Sequence, residues 1–277
     1  MAKRRRENGE KTQKRRAREG RGVGRGADYT PELLIHDVPS QGLSSRIWGW
    51  TTGRVHHVFS IGERRVFYIH DWREDVRDIR EQYPLNQQET LAIADQLGVR
   101  HPRDPRTKEY IVMTSDFVFT ISKGQVTDEV IRAVKLKKDL ENARVKEKLE
   151  IERIYWEEVR GLDWAVITED DIDRTMADNV EWVHCHRYVR ALYPLTVADV
   201  DHIEAILTPY VVEGKSRLRD LTNECDANLS LEPGSALSVV RYLIANRRWE
   251  VDMSKRIMPP LPLALTITPA LFKAVPK

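Results

Sequence analysis

Between Ile111 and Ile121 the chain runs through apolar, β-branched and aromatic residues interrupted by one formal charge, Asp116. Such a run suits a strand buried in a sheet. An ionised carboxylate inside it is costly unless it is paired, hydrogen-bonded or bound to a metal. An Asp facing solvent on an edge strand, or paired with an Arg, accounts for the position equally well. Ser122-Lys123-Gly124 reads as a hairpin turn, and a second strand runs from Val126 to Leu136. Lys135 then lies near the end of that strand, on the face of Ile131 and Ala133 by the alternation of strand side chains. The turn brings positions 116 and 135 within reach of each other. A Lys there can stabilise charge developing at phosphorus or position a water. It also opens a cluster with Lys137 and Lys138, which a solvated face explains without any chemistry.

The neighbouring segments supply the rest of an α/β unit. Ser60-Ile61-Gly62-Glu63 has capping-box spacing and starts a helix. A short strand follows from Val76 to Tyr83, stopped by Pro84, and residues 85–108 read as a helix and a loop. Lys138 to Val159 is a long charged helix ending at Gly161, and Trp164 to Ile167 a buried strand. The order is that of a mixed sheet flanked by helices. Glu63 shares a helix face with Phe67 and His70, although its capping position is an equally good reason for a Glu. Glu152 is the only charge on the stripe Val145, Leu149, Glu152, Trp156, Val159. Its simplest explanation is a partner on the preceding strand, Lys135 among the candidates. Three carboxylates and a Lys from two strands and two helices suit a Mg²⁺ phosphodiesterase, in which hard oxygen ligands hold the ion.

Residues 1–26 hold 11 Lys/Arg against 3 Asp/Glu, whereas residues 27–172 hold 21 against 27. The basic segment is Gly-rich and nearly devoid of apolar residues, which predicts a disordered arm over residues 1–28 that neutralises phosphates. Past an α/β body at 29–172, residues 173–277 read as mostly helical: Thr196–Thr208, Ser216–Asn228 and Ser235–Arg247, with a strand at 248–253. Helices around a turn followed by a strand are compatible with a winged helix. No apolar run reaches the ~18–20 residues of a membrane span. The first residues lack the apolar stretch of a signal peptide. Cys185 and Cys225 build no disulfide framework, which favours a reducing cytoplasm. His56-His57 read as loop or DNA-facing residues, and His184-Cys185-His186 lacks a second ligand pair at zinc spacing. Arg241, Arg247 and Arg248 read as a solvated face or as phosphate contacts.

The element order resembles the PD-(D/E)xK nuclease core of restriction enzymes, with Asp116 as the hairpin Asp and Ala133-Val134-Lys135 as the triplet. The likeness narrows to the TnsA-type endonuclease subunit of heteromeric cut-and-paste transposases. It is carried by Glu19 to Gly24 running into Asp28-Tyr29, by Val38-Pro39-Ser40, by Thr52 to His57, and by Ser60 with Glu63. Asp78 to Leu85, Thr114 to Phe117, Glu147 to Arg153 with Tyr155-Trp156, and Asn179 to Trp182 follow in family order. The resemblance implies a restriction-endonuclease-like catalytic domain at 29–172 and a winged-helix-like C-terminal domain at 173–277. It implies that Glu63, Asp116 and the Val134 carbonyl hold Mg²⁺, as two ions for which Mn²⁺ substitutes. Lys135 then completes the site and Glu152 supports it. Relatives usually carry Gln two positions before the Lys; here Ala133 offers no ligand. The resemblance adds the expectation of a bacterial, nucleoid-associated cytoplasmic protein. The expected activity is cleavage of the 5′ ends of a transposon, alongside a TnsB-type transposase and a TnsC-type AAA+ ATPase regulator. A catalytically weak DNA-binding scaffold and a stand-alone restriction-type nuclease are the alternatives.

Overall fold

The computed structural model describes residues 10–37 and 43–266. The Val38-Pro39-Ser40 segment and residues 1–9 of the basic arm lie outside the described residues. The chain divides into two compact units, with Ile172 ending the first and Asp173 starting the second.

The first unit is built on a four-stranded sheet in which β3 (Val76–Pro84), β4 (Thr114–Lys123), β5 (Val126–Val134) and β6 (Asp163–Ile167) lie side by side in chain order. β4 is antiparallel to both β3 and β5, and β6 is parallel to β5. A parallel return needs a crossover, and α4 (Ala143–Ile154) supplies it. β1 (Ser45–Trp48) and β2 (Val55–Val58) form a separate antiparallel pair that the sequence reading did not anticipate. α2 (Ile61–Trp72) precedes β3, and α3 (Gln87–Gln96) precedes β4. Apolar side chains of α3 and α4 (Ile93, Ile151, Ile154) meet Val118 and Ile131 of the sheet in one buried cluster. Phe117 and Phe119 are also fully buried, and His70 of α2 stacks on Phe119 at 3.8 Å. The central strand is thus covered on both faces, as its unbroken apolar run requires.

Several boundaries differ from expectation. β4 starts at Thr114 and not at Ile111, and β5 stops at Val134, leaving Lys135 just beyond the strand. The long helix expected from Lys138 is interrupted. A 3₁₀ turn (Lys137–Glu141) gives way at Asn142, whose side chain caps α4 by accepting from the Arg144 N–H, and a π-turn (Tyr155–Val159) ends it. β6 is half-buried and not buried.

The expected disorder of residues 1–28 is corrected for the described part. Residues Glu10–Arg18 form a helix, α1, and Arg16 and Arg21 are buried. Arg16 pairs with Glu32 at 3.1 Å, Arg21 pairs with Asp37, and the Gln13 amide donates to the Tyr110 carbonyl at 2.7 Å. The segment lacks apolar residues, as the sequence says, but buried acids on the following segment replace them as its anchor.

The second unit is helical: α5 (Arg174–His184), α6 (Val197–Glu213), α7 (Leu218–Asn228) and α8 (Ser235–Ala245). Val180, Ile203, Leu207, Val240, Leu243 and Trp249 form its core. Thr196 and Asp199 close a capping box on α6, and Asp226 caps α8 through the Gly234 and Ala236 N–H groups. The strand expected at 248–253 is reduced to one bridge, Val251 to Leu265.

Candidate active site

Asp116 is where its neighbours dictate. β4 carries it to the last residues of β5, one step beyond the Phe117–Arg132 pair, where its Oδ2 accepts from the Val134 N–H at 2.7 Å and from Lys135 Nζ at 2.6 Å. Lys135 Nζ also donates to the Val134 carbonyl at 2.9 Å. The side chain of Asp116 is 14% exposed and that of Lys135 is 31% exposed, so the pair lies at the rim of the core. Burial alone would lower the Lys135 pKa, but Asp116, Glu152 and Glu63 outweigh it and hold the ammonium at about 12. Lys135 is therefore a fixed positive charge at any physiological pH.

Glu63 reaches the same place from the first turn of α2. Ser60 caps the helix by accepting from the Glu63 N–H at 3.0 Å, and its hydroxyl donates to Glu63 Oε1 at 3.0 Å. Oε2 accepts from the Phe59 N–H at 2.9 Å, so the capping role and a place in the cluster coexist. A Cβ at Gly62 would come within 3.0 Å of Val134 Cγ1, so the glycine lets this turn lie against the end of β5. Burial and then Asp116 push the Glu63 pKa up to about 7, against its hydrogen bonds and Lys135.

Glu152 comes from α4. It is buried, and its Oε1 has no hydrogen-bond partner. Burial and then the Asp116 charge push it up to about 7, with Lys135 pulling the other way. The π-turn that follows sends the Trp156 indole N–H to Ser115 Oγ at 2.7 Å, tying α4 to β4 next to Asp116. Glu152 and Lys135 line one cavity of about 300 Å³ together with Arg16, Lys148 and Thr114.

The structure thus brings Glu63, Asp116, Val134, Lys135 and Glu152 together at one end of the sheet. Negative groups outnumber the single Lys, and two of the three carboxylates resist ionisation, first because they are buried and then because Asp116 is near. Such a site gains from a cation. Among the described residues no three His, Cys, Asp or Glu side chains form a ready-made metal cage. The donor set is instead two carboxylates and a carbonyl, all hard oxygens, which is what Mg²⁺ uses when water and a phosphate complete its shell. The residues present fit that ion. Ala133 is fully buried and adds no donor.

A second buried ionic cluster was missed by sequence reasoning. Glu81 of β3 has no exposed surface, and its carboxylate accepts from Arg54 Nη1 at 2.9 Å and Nη2 at 2.6 Å and from the His57 N–H at 3.0 Å. His56 Nδ1 lies 2.7 Å from Glu81 Oε2, and its Nε2 lies 2.6 Å from Thr52 Oγ1. Arg54 also donates to the Ile79 and Gly26 carbonyls and lies 5.0 Å from the Tyr29 ring. His56 is accordingly a core residue, not a loop or DNA-facing one. His57 is half-buried and accepts from the Ile35 N–H at 3.2 Å. The signal that could have found this cluster is the coincidence of Arg54, His56 and Glu81 in segments that are otherwise strand-like.

In the second unit, Arg241 lies 4.6 Å from the Trp182 ring, and Arg248 pairs with Asp201 and Glu204, so both are engaged internally. Cys185 is exposed with its Sγ 3.2 Å from His186 Nδ1. No helix among the described residues is long and apolar enough to cross a membrane.

Residues 73–169 match a family model described as the N-terminal part of TnsA-like endonucleases, and residues 171–253 match one described as the TnsA endonuclease C terminus. The chain is also 36% identical over 232 residues to the Tn7 transposition protein TnsA of Escherichia coli, across 84% of this chain and 82% of that protein. Asp116, Lys135 and Glu152 lie inside the first matched segment.

Proposed function

Because the chain belongs to the TnsA endonuclease family and is a transposition endonuclease subunit, we propose that it cuts the 5′ ends of its transposon by divalent-ion-dependent hydrolysis at the cluster around Asp116. Glu63, Asp116 and the Val134 carbonyl would hold Mg²⁺, as two ions, with Mn²⁺ as a substitute. When bound, the ions polarise the scissile phosphate and lower the pKa of a water.

The chain's own groups do the rest. Lys135, held at about 12, cannot serve as a base and acts as a charge. Beside a bound scissile phosphate it would stabilise the negative charge that grows on the non-bridging oxygens in the transition state. Asp116 Oδ2 and the Val134 carbonyl fix its ammonium, so this charge is oriented before DNA arrives. Glu152, which burial and then the Asp116 charge hold up at about 7 without an ion, places a buried acidic group beside Lys135. Ser60 and Phe59 hold Glu63 in one orientation.

The observation that carries this reading is the 2.6 Å contact between Lys135 and Asp116, in a cluster where Glu63 and Glu152 both feel the Asp116 charge. A transposase subunit, an AAA+ ATPase regulator and transposon-end DNA are the proposed partners. The test is strand nicking at transposon-end DNA in the presence of those proteins, with wild type and Asp116→Ala. Loss of 5′ cleavage in the variant supports the reading. Equal product from both proteins sinks it and leaves a DNA-binding scaffold, the role that the donor-free Ala133 favours.

A further inference from the structure

Gln82 sits inside β3 with φ at +49°, in the left-handed region that residues other than glycine rarely occupy within a strand. It is buried, so nothing outside the protein imposes the conformation. The pairs Glu81–Phe117 and Tyr83–Ser115 on either side place Gln82 opposite Asp116. On the other flank, the pairing of Phe117 with Arg132 continues one step to set Ala133 opposite Asp116. Asp116 therefore stands in a row between a carboxamide and a methyl group.

The contacts give that carboxamide a direction. Gln82 Nε2 lies 3.4 Å from Asp116 Oδ1, at the long end of a hydrogen bond, and Gln82 Oε1 accepts from Thr114 Oγ1 at 3.1 Å. A hydroxyl donor at one end and a carboxylate at the other fix which end is NH₂. The Gln82 carbonyl accepts from the Glu32 N–H at 3.2 Å, so its backbone is tied down as well. Asp116 Oδ2 is already occupied by Val134 and Lys135, and Gln82 is the hydrogen-bond donor at Oδ1. The terminal torsion of an Asp is soft, and only its hydrogen bonds decide which oxygen faces which way. Strained backbone persists where the surroundings over-determine it, and it gathers at active sites.

We propose that Gln82 is a positioning residue of the nuclease site. Its carboxamide marks Oδ1 and fixes the rotation of the Asp116 carboxylate, so that Oδ2 holds Lys135 while Oδ1 is presented to the ion and the scissile phosphate. The left-handed backbone aims the carboxamide along the row from the β3 flank, opposite the β5 flank on which Ala133 offers nothing. This rests on the reading of Asp116 as an ion ligand.

The test uses the full chain as Gln82→Gly, which relieves the backbone and removes the carboxamide, and as Gln82→Glu, which keeps the size but replaces the donor with an acceptor. Cleavage of transposon-end DNA is measured with the partner proteins, Mn²⁺ binding to the chain alone by calorimetry, and folding by thermal melts. Gln82→Gly melts no lower than wild type, while kcat and Mn²⁺ affinity each fall about tenfold, as for supporting residues of metal sites, and KM for DNA is unchanged. Gln82→Glu falls at least as far. Wild-type kcat and Mn²⁺ affinity in both variants would overturn the proposal. Asp116→Ala in the same assay separates the two levels. If it is inactive while both Gln82 variants are normal, only the positioning role fails; if it cuts normally, the nuclease reading fails with it.

Discussion

Two buried ionic clusters lie in the first unit, a few residues apart along β3 and β4, and they are built on opposite principles. Around Glu81 every acceptor is met: two Arg54 nitrogens, a backbone N–H and a His56 nitrogen converge on one carboxylate. Burial alone would raise the Glu81 pKa, but His56 and Arg54 hold it well below the ordinary carboxylate range. Around Asp116 the balance is reversed. Burial and a neighbouring carboxylate raise Glu63 and Glu152, and Glu152 Oε1 has no partner. A satisfied cluster holds a fold together, and a frustrated one waits for a ligand. Burial of charge alone does not distinguish them; the balance of charge does, since Arg54 and His56 meet one Glu81 whereas a single Lys135 faces three carboxylates.

The sharpest break between the two comes from removing one acid at the frustrated site. Asp116→Asn should cut DNA about a thousandfold more slowly, roughly 4 kcal/mol of barrier, while melting no lower than wild type. A parallel loss of melting temperature would mean that Asp116 belongs with the structural cluster. Arg54→Met tests the converse. It strands the buried Glu81 charge and should cost about 3–4 kcal/mol of stability, measured by urea unfolding. A neutral result there would erase the distinction.

The pH dependences of the two clusters also run in opposite directions. The folded protein raises Glu152 from 4.5 to about 7. Its contribution to stability is therefore complete below about pH 4.5 and is lost as pH climbs toward 7. Glu81 is depressed, so its contribution is complete above its ordinary value of 4.5 and is lost on acidification. In chelator, Glu152→Gln should therefore gain about 2 kcal/mol over wild type at pH 8 and little at pH 5. Melting curves at both values check it, and an equal gain at both would remove the pH argument. Ser60→Ala has the smallest expected effect, about 1 kcal/mol of stability from the lost helix cap. Because Ser60 also holds Glu63, cleavage should drop modestly in the same variant, whereas capping losses elsewhere leave it untouched.

Much of this contrast could be read in the sequence on one side only. Asp116 and Glu152 were conspicuous because each is a lone charge on an apolar strand or stripe, and period arguments expose such misfits. Lys135 was reachable because a hairpin fixes which residues lie across from each other. Arg54, His56 and Glu81 gave no such signal, since their pairing joins β2 to β3 and depends on long-range packing that local periodicity does not encode. Gln82 was invisible for a related reason, as its conformation follows from tertiary ties. The 3₁₀ turn and the start of α4 were missed because Asn142 was read as an ordinary helical position rather than as a cap. The disorder expected for residues 10–28 followed from composition, which counts apolar residues but not the acids that ion pairs will bury.

The docking of α1 has a consequence for modularity. Glu32 and Asp37 are buried with Arg16 and Arg21 as their counter-charges, and the Gly26 carbonyl receives Arg54. A fragment beginning at Tyr29 would keep every residue of the cluster around Asp116 and still inherit unmatched acids and a loosened Arg54. The smallest self-contained form of this unit therefore starts some fifty positions upstream of Glu63, and a swap of the unit between relatives must carry its basic leader with it.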